Sequence, residues 1–144
     1  MKYVAGGKYG KSLTLSSIAF AVRATPGTLL DPAPGWTHYG KEYQDAIVYK
    51  EKGITILSGF LQRAVNTEVQ RLPNTLLTLP ADAAPDSRLT FHVNNQGENH
   101  RVDVLQNGTV MWMSSNDFTV KFLSLDGVVF TRKPWMTVSL VRRV

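Results

Sequence analysis

The chain has 144 residues, 43% of them hydrophobic and 19% charged, which fits one folded domain with its own core and excludes an intrinsically disordered chain. It contains no cysteine, which excludes a disulfide scaffold, a cysteine-ligated zinc site and a thiol nucleophile. The net charge is +5, yet the 16 Lys and Arg residues are dispersed rather than gathered in a stripe with aromatics between them, so we expect no nucleic-acid partner.

Signals for membrane insertion and export are missing from the sequence. The longest apolar runs, such as residues 18–22, are far too short to span a bilayer. Residues 1–7 lack the apolar stretch of a secretory signal. We therefore expect no membrane insertion, and a protein that is made and assembled in the cytoplasm of its host.

Strand signals dominate the first half of the chain. Residues 12–16 alternate between polar and apolar side chains, as a half-buried strand does. Residues 46–50 and 54–59 form a predicted hairpin whose short loop ends in Gly53. A further short strand is predicted over residues 75–79.

The clearest hairpin lies in the second half, where residues 101–106 return as residues 109–113. The Asn107-Gly108 pair between them accepts positive φ at both positions, so a type I′ turn is predicted. Strands are also predicted over residues 89–93, 118–125 and 128–131. Short strands at regular spacing, with turn residues between them, predict an all-β protein that folds as an antiparallel, jelly-roll-like β-sandwich.

Proline and glycine divide the chain. Residues 23–35 are rich in both and are predicted to form an extended linker. The predicted organisation is an N-terminal arm with a Pro-rich linker over residues 1–35, followed by a β-sandwich knob over residues 36–144. Within the knob, residues 134–144 alternate like one more strand.

The arm repeats a pattern found in the knob. Residues 11–20 align with residues 121–130: Lys, two Leu and Phe coincide, and Thr/Ser and Ile/Val replace one another. Such an arm strand could fill the equivalent place in a neighbouring subunit, or add to an exposed sheet edge. The predicted assembly contacts of the arm are four apolar side chains of the repeated segment, Leu13, Leu15, Ile18 and Phe20.

Patterns typical of catalysis and cofactor binding are missing. Residues 6–12 resemble a phosphate-binding loop, but Ala5 stands where that loop needs its first glycine, and a strand rather than a helix is predicted to follow. The three histidines, His38, His92 and His100, have no metal-ligand spacing, and no spacing indicates a catalytic carboxylate pair or a Gly-x-Ser-x-Gly elbow. We therefore expect no enzymatic activity, no catalytic residues, no bound metal and no cofactor.

Several aromatic side chains and one histidine are candidate contacts for a ligand or another subunit. Exposed aromatic rings stack on sugar rings or anchor protein interfaces. Packing in the core or between subunits is the alternative. The candidate residues are Trp36, His38, Tyr39, Trp112 and Trp135.

Motifs of the body follow one another in a familiar order. Trp36-Thr37-His38-Tyr39-Gly40 is followed by Arg101-Val102-Asp103-Val104-Leu105, then Asn107-Gly108-Thr109-Val110, then Leu123-Ser124-Leu125-Asp126-Gly127-Val128. Over residues 36–133 this order resembles the C-terminal knob domains of bacteriophage tail-fibre and related virion proteins. The resemblance implies a β-sandwich that trimerises and binds host-surface glycans or other virion proteins, and it carries over no catalytic residues.

The resulting hypothesis is a bacteriophage virion structural protein, an accessory knob held on the particle by its N-terminal arm. It would serve as a tail-fibre, receptor-binding component or as a capsid-decoration component. The expected partners are further copies of the chain in a homo-oligomer, with a trimer as the expected form, and other virion proteins, with a host-surface glycan as a candidate ligand. The expected location is the virion, and a free carbohydrate-binding lectin is the alternative.

Overall fold

In the computed structural model, the described residues are 26–64, 74–95, 98–113 and 121–132. Within these ranges the chain is almost entirely β, with one 3₁₀ turn at Ala81–Ala83. The strands are β1 (Thr28–Leu29), β2 (Trp36–His38), β3 (Ile47–Glu51), β4 (Ile54–Ser58), β5 (Phe60–Arg63), β6 (Asn74–Thr78), β7 (Leu89–Asn95), β8 (Glu98–Val104), β9 (Thr109–Trp112), β10 (Phe122–Ser124) and β11 (Val129–Thr131). Among the described residues, none of the helical structure is long and apolar enough to cross a membrane.

The first layer of the fold consists of two small sheets, with the strand orders β1-β3-β4-β11 and β10-β5-β2. The chain passes twice from one of these sheets to the other: β4 leads into β5 at Gly59, and β10 leads into β11 through a turn at Asp126-Gly127. Gly59 has φ 129, and a Cβ there would lie 2.6 Å from Cα of Ala46, so the bend requires glycine. Leu125 N donates to Gly59 O over 2.8 Å, which joins the two bends.

The second layer is a four-stranded sheet in the order β6-β9-β8-β7. All strand pairs in both layers are antiparallel. Aromatic rings meet across the core in the pairs Trp36–Trp112 and Phe91–Phe130, with centroids 6.2 and 6.1 Å apart. The prediction of an all-β protein with antiparallel sheets packed as a sandwich is therefore confirmed.

The predicted hairpins are present, and their turns differ in type. In the β3–β4 hairpin, Lys52 and Gly53 both have positive φ, 42 and 83, as a type I′ turn requires. In the β8–β9 hairpin, Gly108, with φ 88, is the only residue of the loop with positive φ.

The prediction of a type I′ turn at Asn107-Gly108 is therefore wrong. Gly108 N donates to Leu105 O over 2.9 Å, which defines a type I turn followed by a glycine bulge. Two contacts favour this arrangement: Asn107 Oδ1 accepts a hydrogen bond from Thr109 N at 3.0 Å, and Leu79 N donates to Gly108 O at 2.9 Å. A Cβ at position 108 would lie 2.6 Å from Leu79 O, so glycine is also required by this close approach.

The described part of the Pro-rich segment packs on the body. Thr28 pairs with Val48, and the side chain of Leu30 is buried in the core. Pro32 forms an isolated bridge with Leu77 at the outer edge of β6, where proline is tolerated because an edge strand needs no further ladder bond. Residues 28–33, which belong to the expected linker, therefore pack against the body. The division of the chain at residue 35 stays a prediction, and residues 1–25 and 133–144 lie outside the described residues.

Candidate binding surface

Four aromatic side chains gather on the outer face of β2, β5 and β10. Phe60 and Phe122 lie on this face because the next residue of each strand points into the core. Tyr39 and Tyr43 come from the segment after β2 and fold over the two phenylalanines. We call Tyr39, Tyr43, Phe60 and Phe122 the aromatic platform.

The rings of the platform hold one another in place. Tyr43 stacks on Phe60 with centroids 4.7 Å apart, and Phe60 and Phe122 are nearly parallel at 6.1 Å. Tyr39 meets the other three edge-on at 5.2 to 5.3 Å, and Nζ of Lys41 lies 5.1 Å from the centroid of the Tyr39 ring. Tyr43 remains 48% exposed, so the platform is ordered by its own contacts while part of it faces solvent.

A pre-oriented carboxylate borders the platform. Oδ1 of Asp126 accepts hydrogen bonds from Ser58 Oγ at 2.7 Å and from Gly59 N at 3.0 Å, and Oδ2 accepts one from Ser124 Oγ at 3.2 Å. Ser58 Oγ also lies 3.1 Å from Oε1 of Gln44. Since the hydroxyl has one proton, its shorter bond to the charged acceptor dominates. The platform thus has an exposed carboxylate and an amide at its border.

Two of the predicted contact residues, Trp36 and Trp112, lie in the core. They are 7% and 1% exposed, and they pack edge to face against each other. Cζ of Arg63 lies 5.5 Å from the centroid of Trp36 and 5.2 Å from that of Trp112, and His100 contacts Trp112 at 6.0 Å. Because these faces are filled by residues of the same chain, Trp36 and Trp112 are not placed to contact a ligand, and core packing is the interpretation that holds for them.

The other predicted contacts divide between the surface and the undescribed part of the chain. His38 is half-buried, and its Nδ1 accepts a hydrogen bond from Ala46 N at 3.1 Å, so the neutral ring carries its proton on Nε2. Tyr39 belongs to the aromatic platform. The residues that lie outside the described ranges, and for which the contacts remain predictions, are Trp135, Leu13, Leu15, Ile18 and Phe20.

A buried carboxylate on the outer face of the second layer is held by two arginines. Arg101 donates from Nε to Oδ1 of Asp103 at 2.8 Å and from Nη2 to Oδ2 at 2.9 Å, and Arg88 donates from Nε to Oδ2 at 2.6 Å. The Arg101 guanidinium, opposed by burial and assisted by Arg88 and Thr90, lowers the pKa of Asp103 to about 2. Because the protein itself satisfies this carboxylate, the cluster fastens the start of β7 to β8 and offers no free acceptor to a ligand.

Phe60 and Phe122 do not stand out in the amino-acid sequence. The available signal is a shared triplet of aromatic, leucine and polar residue at the start of β5 and β10. Alternation predicts that each aromatic faces away from its leucine, but only the pairing of Ser124 with Phe60 brings the two rings onto one surface.

The described residues contain no group of three or more His, Asp or Glu side chains that could hold a metal ion. The platform instead combines flat apolar rings with hydrogen-bonding groups that are already oriented. Such a surface can stack against a flat apolar ligand face and bond its polar groups.

The fold of the chain is similar to that of a known protein, whereas its sequence is not. No protein-family model matches it, and no curated protein matches it. Among solved structures, the crystal structure of the receptor binding protein (gp15) of Listeria phage PSA is similar, with a TM-score of 0.59 and 17% sequence identity. The similarity covers 75% of this chain and 65% of that chain. At this identity the likeness establishes a shared β architecture.

Proposed function

We propose that the chain is a structural component of a bacteriophage virion that acts in receptor binding. The observation that carries this proposal is the fold shared with the receptor binding protein of Listeria phage PSA, over 75% of the chain. The role is non-enzymatic: a preformed surface binds its ligand without chemistry.

The ligand that the aromatic platform fits is a glycan on the host surface. Tyrosine and phenylalanine rings give a large contact area at a low cost in side-chain entropy. Tyr43 is 48% exposed, and Asp126, bonded to Gly59 N beside Phe60, adds an acceptor for sugar hydroxyl groups at the border of the platform. The rings are fixed by one another before any ligand arrives, which lowers the entropic cost of binding.

We further propose how the knob is attached to the particle. The N-terminal arm holds the knob on the particle, and the chain forms a homo-oligomer, with a trimer as the expected form. Its location is the virion after assembly in the host cytoplasm. The partners are other virion proteins and the host-surface glycan, with no nucleic acid, metal or cofactor.

The proposal is tested by binding of the full-length protein to an array of bacterial cell-surface glycans. Replacing Tyr43 with Ala is expected to lower affinity at least about tenfold, which corresponds to about 1.4 kcal/mol for the loss of one anchoring ring. The matched control is Leu29→Ala, since Leu29 is also a large apolar side chain and is 57% exposed outside the platform. Equal binding by the two variants, with both folded by circular dichroism, removes the platform as the site.

The platform also favours a second function, that of a free carbohydrate-binding lectin, because such a surface needs no particle. Mass spectrometry of purified particles separates the two, since a virion component is present in a fixed ratio to the major capsid protein and a free lectin is absent. Cryo-electron microscopy of the same particles then distinguishes a receptor-binding position on the tail from a decorating position on the capsid.

A further inference from the structure

The two edge strands of the second layer, β6 and β7, are protected to different degrees. On one side, the segment after β1 covers the outer edge of β6: Pro32 bridges Leu77, and Ala33 N donates to Leu76 O over 2.8 Å. On the other side, each of β7, β10 and β11 has a hydrogen-bonded neighbour on one flank only among the described strands. We call this side, formed by β7, β10 and β11, the open edge.

The open edge lacks two of the features that usually keep such strands from pairing with other chains, charged side chains and proline. None of the residues in β7, β10 or β11 is Lys, Arg, Asp, Glu or Pro, although natural edge strands are commonly blocked by charges or proline. A groove of about 440 Å³ runs between β7 and β11, and Phe91 and Phe130 are among its lining residues. An edge without charged side chains or proline, beside a groove that contains two aromatic rings among polar groups, favours the addition of a strand.

The chain contains a segment with the matching pattern. Residues 11–20 align with residues 121–130, which include β10 and β11 themselves. The residues of the body that correspond to the four apolar arm positions are all buried in the core: Leu123, Leu125, Val128 and Phe130. The arm therefore repeats a sequence whose apolar residues this fold is able to bury.

We infer that residues 11–20 add as a β-strand along the open edge and cover the groove between β7 and β11. Addition is favoured over replacement of β10–β11 because Ser17 stands where Gly127 has φ 94, a conformation that serine rarely adopts. A bulge at Ser16-Ser17 needs no positive φ and keeps Leu15 and Ile18 on the same side of the strand. The edge alongside bends at the corresponding place, between β10 and β11.

Cysteine cross-linking tests this contact in the full chain, which has no cysteine of its own. Thr131→Cys on β11 is combined with either Ser12→Cys or Ala19→Cys, and a short bismaleimide is added. One of the two pairs is expected to cross-link several-fold more than the same arm position paired with Thr78→Cys, which is exposed on the protected side. The pair that reacts gives the strand direction, and the mass of the product gives the copy that donates the arm.

Two variants with the same added charge distinguish specific docking of the arm from cross-linking by random collision. Leu15→Asp removes an apolar contact and is expected to abolish the cross-link, whereas Ser16→Asp, at the neighbouring polar position, leaves it unchanged. Equal yields at Thr131 and Thr78, or a yield that Leu15→Asp does not lower, overturn the inference. If residues 134–144 cover the open edge instead, neither arm cysteine cross-links to Thr131→Cys, and the inference is equally overturned.

The docked arm is independent of receptor binding, and the two can be disproved separately. Cross-linked protein that binds no glycan contradicts the proposed function and leaves the docked arm intact. Glycan binding without a cross-link does the reverse.

Discussion

Replacing Asp103 with Asn tests the largest electrostatic contribution that the structure shows. The carboxylate is fully buried and accepts bonds from Arg101 and Arg88. A pKa lowered from 3.8 to about 2 corresponds to roughly 2.5 kcal/mol of folding stability, at about 1.4 kcal/mol per pKa unit. Asn keeps the shape but leaves two guanidinium groups facing a neutral amide, so Asp103→Asn is expected to lose about 2 to 3 kcal/mol at pH 7.

The assay is urea unfolding followed by circular dichroism, with Asp31→Asn as the exposed control, which is expected to stay within about 0.5 kcal/mol of wild type. The pH dependence has a definite sign. Because the folded pKa of Asp103 is the lower one, its contribution is present above about pH 4 and is lost as pH falls toward 2. The difference between wild type and Asp103→Asn should therefore shrink over that range. A difference below about 0.5 kcal/mol at pH 7, or one that does not change with pH, refutes the reasoning.

Two further predictions concern the backbone. Gly59→Ala places a Cβ 2.6 Å from Ala46 Cα, whereas the Cβ of Gly127→Ala, also at positive φ, meets nothing within 4 Å. Thermal unfolding should show that Gly127→Ala lowers the free energy of unfolding by about 1 kcal/mol and that Gly59→Ala lowers it clearly more. Equal losses would contradict the close packing at the bend. Lys52→Asn should gain up to about 1 kcal/mol because asparagine tolerates positive φ better than lysine does, while Lys121→Asn, outside a turn of this kind, should gain nothing.

Local pattern was enough to predict most strands. The β3–β4 and β8–β9 hairpins follow from short-range alternation and from turn residues, which act within a few positions of the chain. The type of the second turn did not follow, because the contact of Leu79 with Gly108 comes from a strand that is distant in the sequence.

Burial and site formation depend on pairings that no local pattern encodes. From the sequence alone, Trp36 and Trp112 cannot be distinguished from exposed aromatic residues that bind a ligand. Only the packing of the two layers places them in the core. Pro32 indicates a linker until its bridge to Leu77 is known. The aromatic platform needs the register of β5 with β10, so Tyr39 could be predicted as a contact while Phe122 could not.

β1 and β11 lie at opposite edges of one sheet, which has a consequence for the symmetry of an oligomer. Residues 11–20 precede β1 in the chain; β1 lies at one edge of the sheet, and the open edge is the other. If this segment of one copy lies on the open edge of a neighbouring copy, the copies meet head to tail. The rotation between neighbouring copies then sets their number. A rotation of about 120° closes a ring of three copies, whereas a rotation that closes no ring gives a filament. In a closed ring every open edge is occupied, whereas an unclosed row always presents one to further chains.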